Sequence, residues 1–302
     1  MAVTPHSPAR RSTAHAPLAA IAAAACLLAA GCAGTAKKPQ EGALPASDAA
    51  TLAALDAALA GDHRAQANKA RDAYRHPKET LAFFGLRQDM TVMEIWPGAG
   101  GWYTEVIAPV VRDKGRYIAA GWDAKLDNKF IQDGVKAYQA KLDARPDVFG
   151  KVQVTALQFP TAMQPVPAGS VDMVVTFRNI HNWMGRDSAK QMFEAMFAAL
   201  KPGGILGVVE HRAGTTAPQD PKAASGYVRE DYAIELAKSV GFEFVAASEI
   251  NANPKDTKDY DQGVWTLPPT LRLGDRDRDR FLAIGESDRF TLRFRKPAAQ
   301  AH

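Results

Sequence analysis

From Met90 onward, short β-branched runs alternate with amphipathic stretches. The runs at 91–95, 115–120, 152–157, 171–177, 205–209, 242–247 and 289–294 predict strands. Between them, 102–111, 127–142, 188–200 and 227–240 carry apolar residues at helical spacing. The stripe Met192, Phe193, Met196, Phe197 and Leu200 belongs in a core, as does the face Val106, Ile107 and Val110. Ahead of Met90, Ser47 and Asp48 offer caps for an Ala-rich helix to Ala60, which Gly61 breaks. Asp62 can cap a second helix to Tyr74, and 78–84 adds one or two turns before Gly85. Strands alternating with helices predict an α/β fold with a mostly parallel sheet and helices on both faces. The stretch 251–288 is a long excursion without strong periodicity, read as a lid or a substrate wall. Its run Asp275–Arg280 alternates sign and nearly neutralises itself, as a solvated turn or helix start does.

The N-terminus departs from this pattern. Arg10 and Arg11 precede an uncharged apolar run at 18–30, whose 13 residues fall short of the roughly 20 that span a bilayer. Leu28-Ala29-Ala30-Gly31-Cys32 resembles a bacterial lipobox, which implies lipidation at Cys32 after removal of 1–31. The other reading of this run, a buried Ala-rich helix, fits poorly with its basic, Pro-bearing flank. Ser12-Thr13-Ala14 lacks the hydrophobic residue expected after a twin-arginine pair, and Ala33 offers no acidic inner-membrane retention signal. The expected location is therefore the cell envelope, as an outer-membrane lipoprotein facing the periplasm. Residues 32–46 read as a tether, 47–77 as N-terminal helices and 78–297 as the main domain, with 251–288 inserted in it.

Composition narrows the function classes. The 302 residues hold 37 Lys+Arg against 33 Asp+Glu, a formal charge of +4. That excess is too small to point to nucleic acid, and two of the basic residues lie in the export signal. A charged fraction of 23% with 46% hydrophobic residues excludes wholesale disorder. Of the two cysteines, Cys26 lies in the signal and Cys32 would carry lipid. None is left for a disulfide, a metal or a nucleophile.

In open α/β sheets, ligands bind beyond the C-terminal strand ends, where the strand order reverses. The loops at 96–101, 121–127, 178–186 and 210–216 occupy those ends. The glycine loop after 91–95 is not a dinucleotide fingerprint, because its third glycine would fall on Tyr103. It also lacks the Gly-Lys-Ser/Thr ending of a nucleotide phosphate loop. Val92-Met93-Glu94-Ile95-Trp96-Pro97-Gly98-Ala99-Gly100 resembles the first motif of the class I S-adenosylmethionine-dependent methyltransferases. Asp172-Met173-Val174-Val175 is similar to their fourth strand, and Leu200-Lys201-Pro202-Gly203-Gly204 to the turn entering their fifth. The resemblance covers roughly 78–297; with Phe177-Arg178-Asn179-Ile180-His181-Asn182-Trp183 it extends to a group of predicted bacterial methyltransferases.

The resemblance implies a Rossmann-like fold with an antiparallel last strand and S-adenosylmethionine as cofactor. It implies that Glu94, Gly98 and Gly100 line the methionine end and ribose side of that cofactor. Trp96 stands where the loop's first glycine is usual, so its indole either keeps the backbone from the ligand or covers it. The acid expected to hold the ribose falls on Gly121 by spacing, and Asp123 can take that role if the loop bends back. Tyr103 either contacts the cofactor carboxylate or merely begins a helix.

Methyl transfer needs a base only when the acceptor carries a proton of high pKa. Imidazole ordinarily titrates near neutrality, which makes His181 the candidate base; the alternative is that it satisfies a backbone group. Asn179 is expected to orient substrate or cofactor, and Glu210, in Glu210-His211-Arg212, either supports His181 across the cleft or sits in an ion-paired rim. His181 and His211 lack close ligand spacing, so no metal is expected. The expected function is an envelope methyltransferase acting on a small-molecule or lipid-like acceptor. The alternative is a non-catalytic envelope lipoprotein that uses the fold to bind a nucleoside-like or other small ligand.

Overall fold

The computed structural model describes residues 46–298. The expected export signal at 1–31, Cys32 and the expected tether through residue 45 lie outside the described residues. In chain order come α1 (Ala49–Ala60), α2 (Gln66–Lys69), α3 (Asp72–Arg75) and α4 (Pro77–Phe84). Then follow β1 (Thr91–Ile95), α5 (Thr104–Val111), β2 (Arg116–Gly121), α6 (Lys129–Ala144), α7 (Pro146–Phe149) and β3 (Gln153–Ala156). The next elements are β4 (Val171–Phe177), α8 (Ile180–Met184), α9 (Ala189–Ala199) and β5 (Leu200–His211). The chain ends with α10 (Glu230–Ser239), β6 (Glu243–Ser248), a 3-10 turn at Gly263–Thr266, α11 (Arg278–Ile284) and β7 (Arg289–Arg295).

The seven strands form one sheet in the order β3-β2-β1-β4-β5-β7-β6. All pairs from β3 to β5 are parallel, and β7 runs antiparallel to both β5 and β6. The order reverses between β1 and β4, so the crevice above their C-terminal ends is the predicted binding position. One face of the sheet packs Met93, Ile95, Leu206 and Val208 against Met192, Phe193 and Met196 of α9. The other packs Val92, Met173 and Val175 against Val106, Ile107 and Val110 of α5. Both stripes were legible as 3.6-residue periodicity. Gly207 lets α4 approach β5, since a Cβ there would lie 2.5 Å from a ring carbon of Phe84.

Three elements differ from the sequence reading. The expected helix from Asp62 to Tyr74 is instead two single turns, α2 and α3. Buried Arg64 draws Asp72 back into two hydrogen bonds of 2.6 and 2.7 Å, which bends the segment. β5 extends past 205–209 to Leu200–His211, placing Glu210 and His211 within the strand rather than on a loop. Residues 251–288 contain the 3-10 turn and α11 rather than loop alone.

Candidate functional site

A cavity of about 280 Å³ opens above the switch point. Trp96, Pro97 and Gly98 from the loop after β1 form one side, with Trp122 from the loop after β2. Phe177, Arg178, Asn179 and His181 enter from the end of β4, and His211 and Arg289 from the paired ends of β5 and β7. Val264, Trp265, Pro268, Pro269 and Thr270 close it from above, so part of the long excursion is a wall of the cavity.

Two strained backbone positions lie here. Trp96 and Arg178, which end β1 and β4, adopt φ of 49° and 61°, a left-handed conformation rare for such bulky residues. The Trp96 indole turns into the core: its Nε1 donates to the Leu157 carbonyl at 2.7 Å, and its ring meets Trp122 and Trp183 edge-on. Gly98 has φ of 70°, and a Cβ there would meet nothing within 4 Å, so its backbone faces open space.

Glu94 lies beneath the loop, fully enclosed. Tyr117 donates a short hydrogen bond to it, and Thr104 links Tyr117 to Tyr138 at 2.9 and 3.0 Å. Burial pushes the Glu94 carboxyl up to about 7, against the stabilising Tyr117 contact. Glu94 is therefore tied to Tyr117 of β2 inside the core and does not line the cavity. Gly100 is exposed at the loop's rim. Tyr103 is buried, its ring stacked on Phe177 at 3.4 Å, and burial pushes its hydroxyl up to about 12. Asp123 turns into its own loop, accepting from the Lys125 N–H at 3.0 Å. Asn179 spends its amide on the Ile95 carbonyl at 2.9 Å and the Thr176 hydroxyl at 3.1 Å, which ties β4 to β1 at the reversal.

The loop after β4 is held by Glu210. Its Oε2 accepts from the Ile180 N–H at 2.6 Å and the His181 N–H at 3.4 Å. Its Oε1 accepts from the His211 N–H at 2.9 Å and pairs with His181 Nδ1 at 3.0 Å. A carboxylate only accepts, so His181 donates from Nδ1 to Glu210, and its ring lines the cavity. His211 Nδ1 pairs with the Ser287 hydroxyl at 2.5 Å. Burial, then His181, Arg289 and Arg178, hold the His211 imidazole well below its ordinary value, so it is neutral.

His181, Glu210 and His211 bring possible ligand atoms within 4.8 Å of one another. Each Glu210 oxygen already accepts two hydrogen bonds, and Arg178 and Arg289 line the same space. A cation would meet a saturated carboxylate and positive neighbours.

Of the residues singled out in the sequence, Trp96, Gly98, Asn179 and His181 line the cavity together. Glu94, Gly100, Tyr103, Asp123 and Glu210 lie around or beneath it. Arg178 and Arg289 received no role from the sequence; a left-handed arginine has no one-dimensional signature, and the two are 111 positions apart.

No protein-family model matches the sequence, and no curated protein does. Solved structures do match. A SAM-dependent methyltransferase from Aquifex aeolicus aligns with TM-score 0.51 at 15% identity, covering 75% of this chain and 93% of that one. The (4+2)-cyclase SpnF aligns with TM-score 0.53 at 15% identity, covering 85% of this chain and 99% of that one. The fold is the Rossmann-like fold of the class I methyltransferases. Because one of these structures is that of a cyclase, the fold alone does not fix the reaction; the site must.

Proposed function

We propose that the protein is an S-adenosylmethionine-dependent methyltransferase anchored in the bacterial cell envelope through Cys32. One observation carries the catalytic part: His181, held from behind by Glu210, lines the same cavity as the open Gly98 backbone, at the topological switch point. The cavity lies at the topological switch point and Gly98 provides an unobstructed backbone approach there, so the residues present fit such a cofactor. When bound, S-adenosylmethionine supplies an electrophilic methyl group on a sulfonium.

The chain's own residues then position and deprotonate. Gly98 and the αL turn at Trp96 shape the floor. Trp265 and Pro268 cover it from above. His181 would take the proton from an acceptor hydroxyl or amine as that group is methylated, and Glu210 would steady the imidazolium that results. The alternative, ligand binding without turnover, draws on Gly121 standing where the ribose-holding acid is expected.

Calorimetric titration of the purified protein with S-adenosylhomocysteine tests the reading. Binding is expected in the micromolar range and is expected to be lost in Gly98→Trp, whose side chain enters the cavity; absence of heat from the folded wild type would overturn it. The lipobox predicts that Cys32→Ser moves the protein from the membrane fraction to the soluble one, and continued anchoring would refute lipidation.

A further inference from the structure

The charge lining the cavity is one-sided. Its titratable groups are Arg178, His181, His211 and Arg289, and no carboxylate lines it. Behind Arg289 stand Arg71 and Arg75, and all three share a single buried acid. Glu286 accepts from Arg71 Nε at 2.5 Å, from Arg75 Nε at 3.1 Å, and from Arg289 through a short contact. Arg289 also donates to the Tyr74 carbonyl at 3.2 Å. Arg178 is the fourth guanidinium of this group, and it reaches the cavity without joining the Glu286 hydrogen bonds. Glu286 is the carboxylate these guanidiniums bond, and buried Glu94, its carboxyl pushed up to about 7, also feels Arg178, so cationic charge remains in excess beside the cavity. Burying cations in this way is costly unless a counter-charge arrives. Arg178 is moreover held in a left-handed conformation that an arginine does not choose unaided.

Position separates this charge from the nucleoside end of the proposed cofactor site. Gly98 and Trp122 lie at the ends of β1 and β2, whereas Arg289 starts β7, three strands from β1 on the other side. At roughly 4.8 Å per strand, that is about 14 Å of sheet. Arg178 ends β4, between the two, close to His181. Trp265 stands over this end, its ring 6.0 Å from that of His181.

We propose that the methyl acceptor is an anion, a carboxylate- or phosphate-bearing molecule whose charge seats on Arg178 in the field of Arg289. This rests on the methyltransferase reading for the word acceptor, while the anion subsite stands on the cavity alone. The anion neutralises the guanidinium excess, offsets the repulsion a sulfonium meets there, and places the acceptor's nucleophilic group at His181. A cationic acceptor is disfavoured by the same field.

The test uses the purified full chain, with benzoate and inorganic phosphate as probes and S-adenosylhomocysteine and methylthioadenosine as cofactor stand-ins. Methylthioadenosine lacks the amino-acid carboxylate. Arg178→Asn removes the charge with a residue that tolerates positive φ, and Arg178→Lys restores the charge. At least one probe is expected to bind the protein saturated with S-adenosylhomocysteine, to weaken about tenfold or more in Arg178→Asn, and to recover in part in Arg178→Lys. Affinities for the two nucleosides are expected to change by less than about threefold in Arg178→Asn, the range left by long-range charge alone. Failure of both probes to bind the wild type, or anion affinity unchanged in Arg178→Asn, overturns the subsite. Selective loss of S-adenosylhomocysteine but not methylthioadenosine in Arg178→Asn assigns Arg178 to the cofactor's own carboxylate and overturns the acceptor proposal. Arg178-dependent probe binding without nucleoside binding keeps the anion subsite and removes the methyltransferase reading; nucleoside binding without any probe binding does the reverse.

Discussion

Glu94 shows how a single residue can be read correctly by type and differently by place. Its position after Val92-Met93 marks the end of β1, and the resemblance assigns it to the cofactor. In the folded chain it is buried under the loop and bound to Tyr117, with its carboxyl pushed up to about 7. An acid whose folded pKa lies above its ordinary 4.5 holds a proton that the unfolded chain has lost between those values. Stability therefore falls as pH rises from about 4.5 to about 7, by roughly 3 kcal/mol from this residue. His211 acts in the opposite sense: its depressed value contributes stability above its ordinary 6.5 that is lost as pH falls. The difference between wild type and Glu94→Gln isolates the acid. Urea unfolding at several pH values is expected to show Glu94→Gln gaining relative stability from pH 5 to pH 8; parallel curves would contradict the shift. Trp96 makes the same point about place. A tryptophan in the first-glycine position reads as an obstruction, yet its αL backbone and the Leu157 bond swing the indole out of the loop's approach and into the core.

At the scale of elements, the β4–α8 junction is built by one carboxylate. Glu210 on β5 collects the N–H groups of Ile180, His181 and His211, fixing where α8 starts and how the His181 ring is held. Replacing it by Gln puts an amide donor against those donors. Glu210→Gln is expected to cost about 2–3 kcal/mol in urea unfolding and to lower kcat with little change in S-adenosylhomocysteine affinity. A variant with wild-type stability and kcat would show that the junction holds itself. The strands and the longer helices were readable because their apolar residues recur at periods of 2 or 3.6. The short α8 was not, having too few residues to display a period. Nor was the split between α2 and α3, because it follows from Arg64 pairing with Asp72 and lying near Glu105 of α5, a contact across the fold.

Across the whole molecule, Glu286 joins the N-terminal helices to the far side of the sheet. Arg71 and Arg75 belong to the α2–α3 region, Arg289 begins β7, and all three converge on this one acid. Burial alone would raise its carboxyl; Arg289, Arg75 and Arg71 outweigh that and hold it well below the usual range. Its contribution to stability is present above its ordinary value and lost as pH falls toward the depressed one. Glu286→Gln leaves the guanidiniums uncompensated and is expected to cost about 3–5 kcal/mol at pH 7, seen as a lowered unfolding midpoint. An unchanged midpoint would mean that solvent already screens the cluster. The sequence by itself determined the alternating α/β architecture, the glycine loop and the candidate base His181, because periodicity and turn chemistry are local. It also carries the expectation of an export signal and lipidated Cys32, written in residues 1–32. Only the tertiary structure decided which charges share a cavity. Arg178 and Arg289 share it, with Arg71 behind them on Glu286, because β7 inserts between β5 and β6 and the N-terminal helices return to its start. Charge clusters formed by such long-range closure have no period and no motif, so they become visible only when the chain is folded.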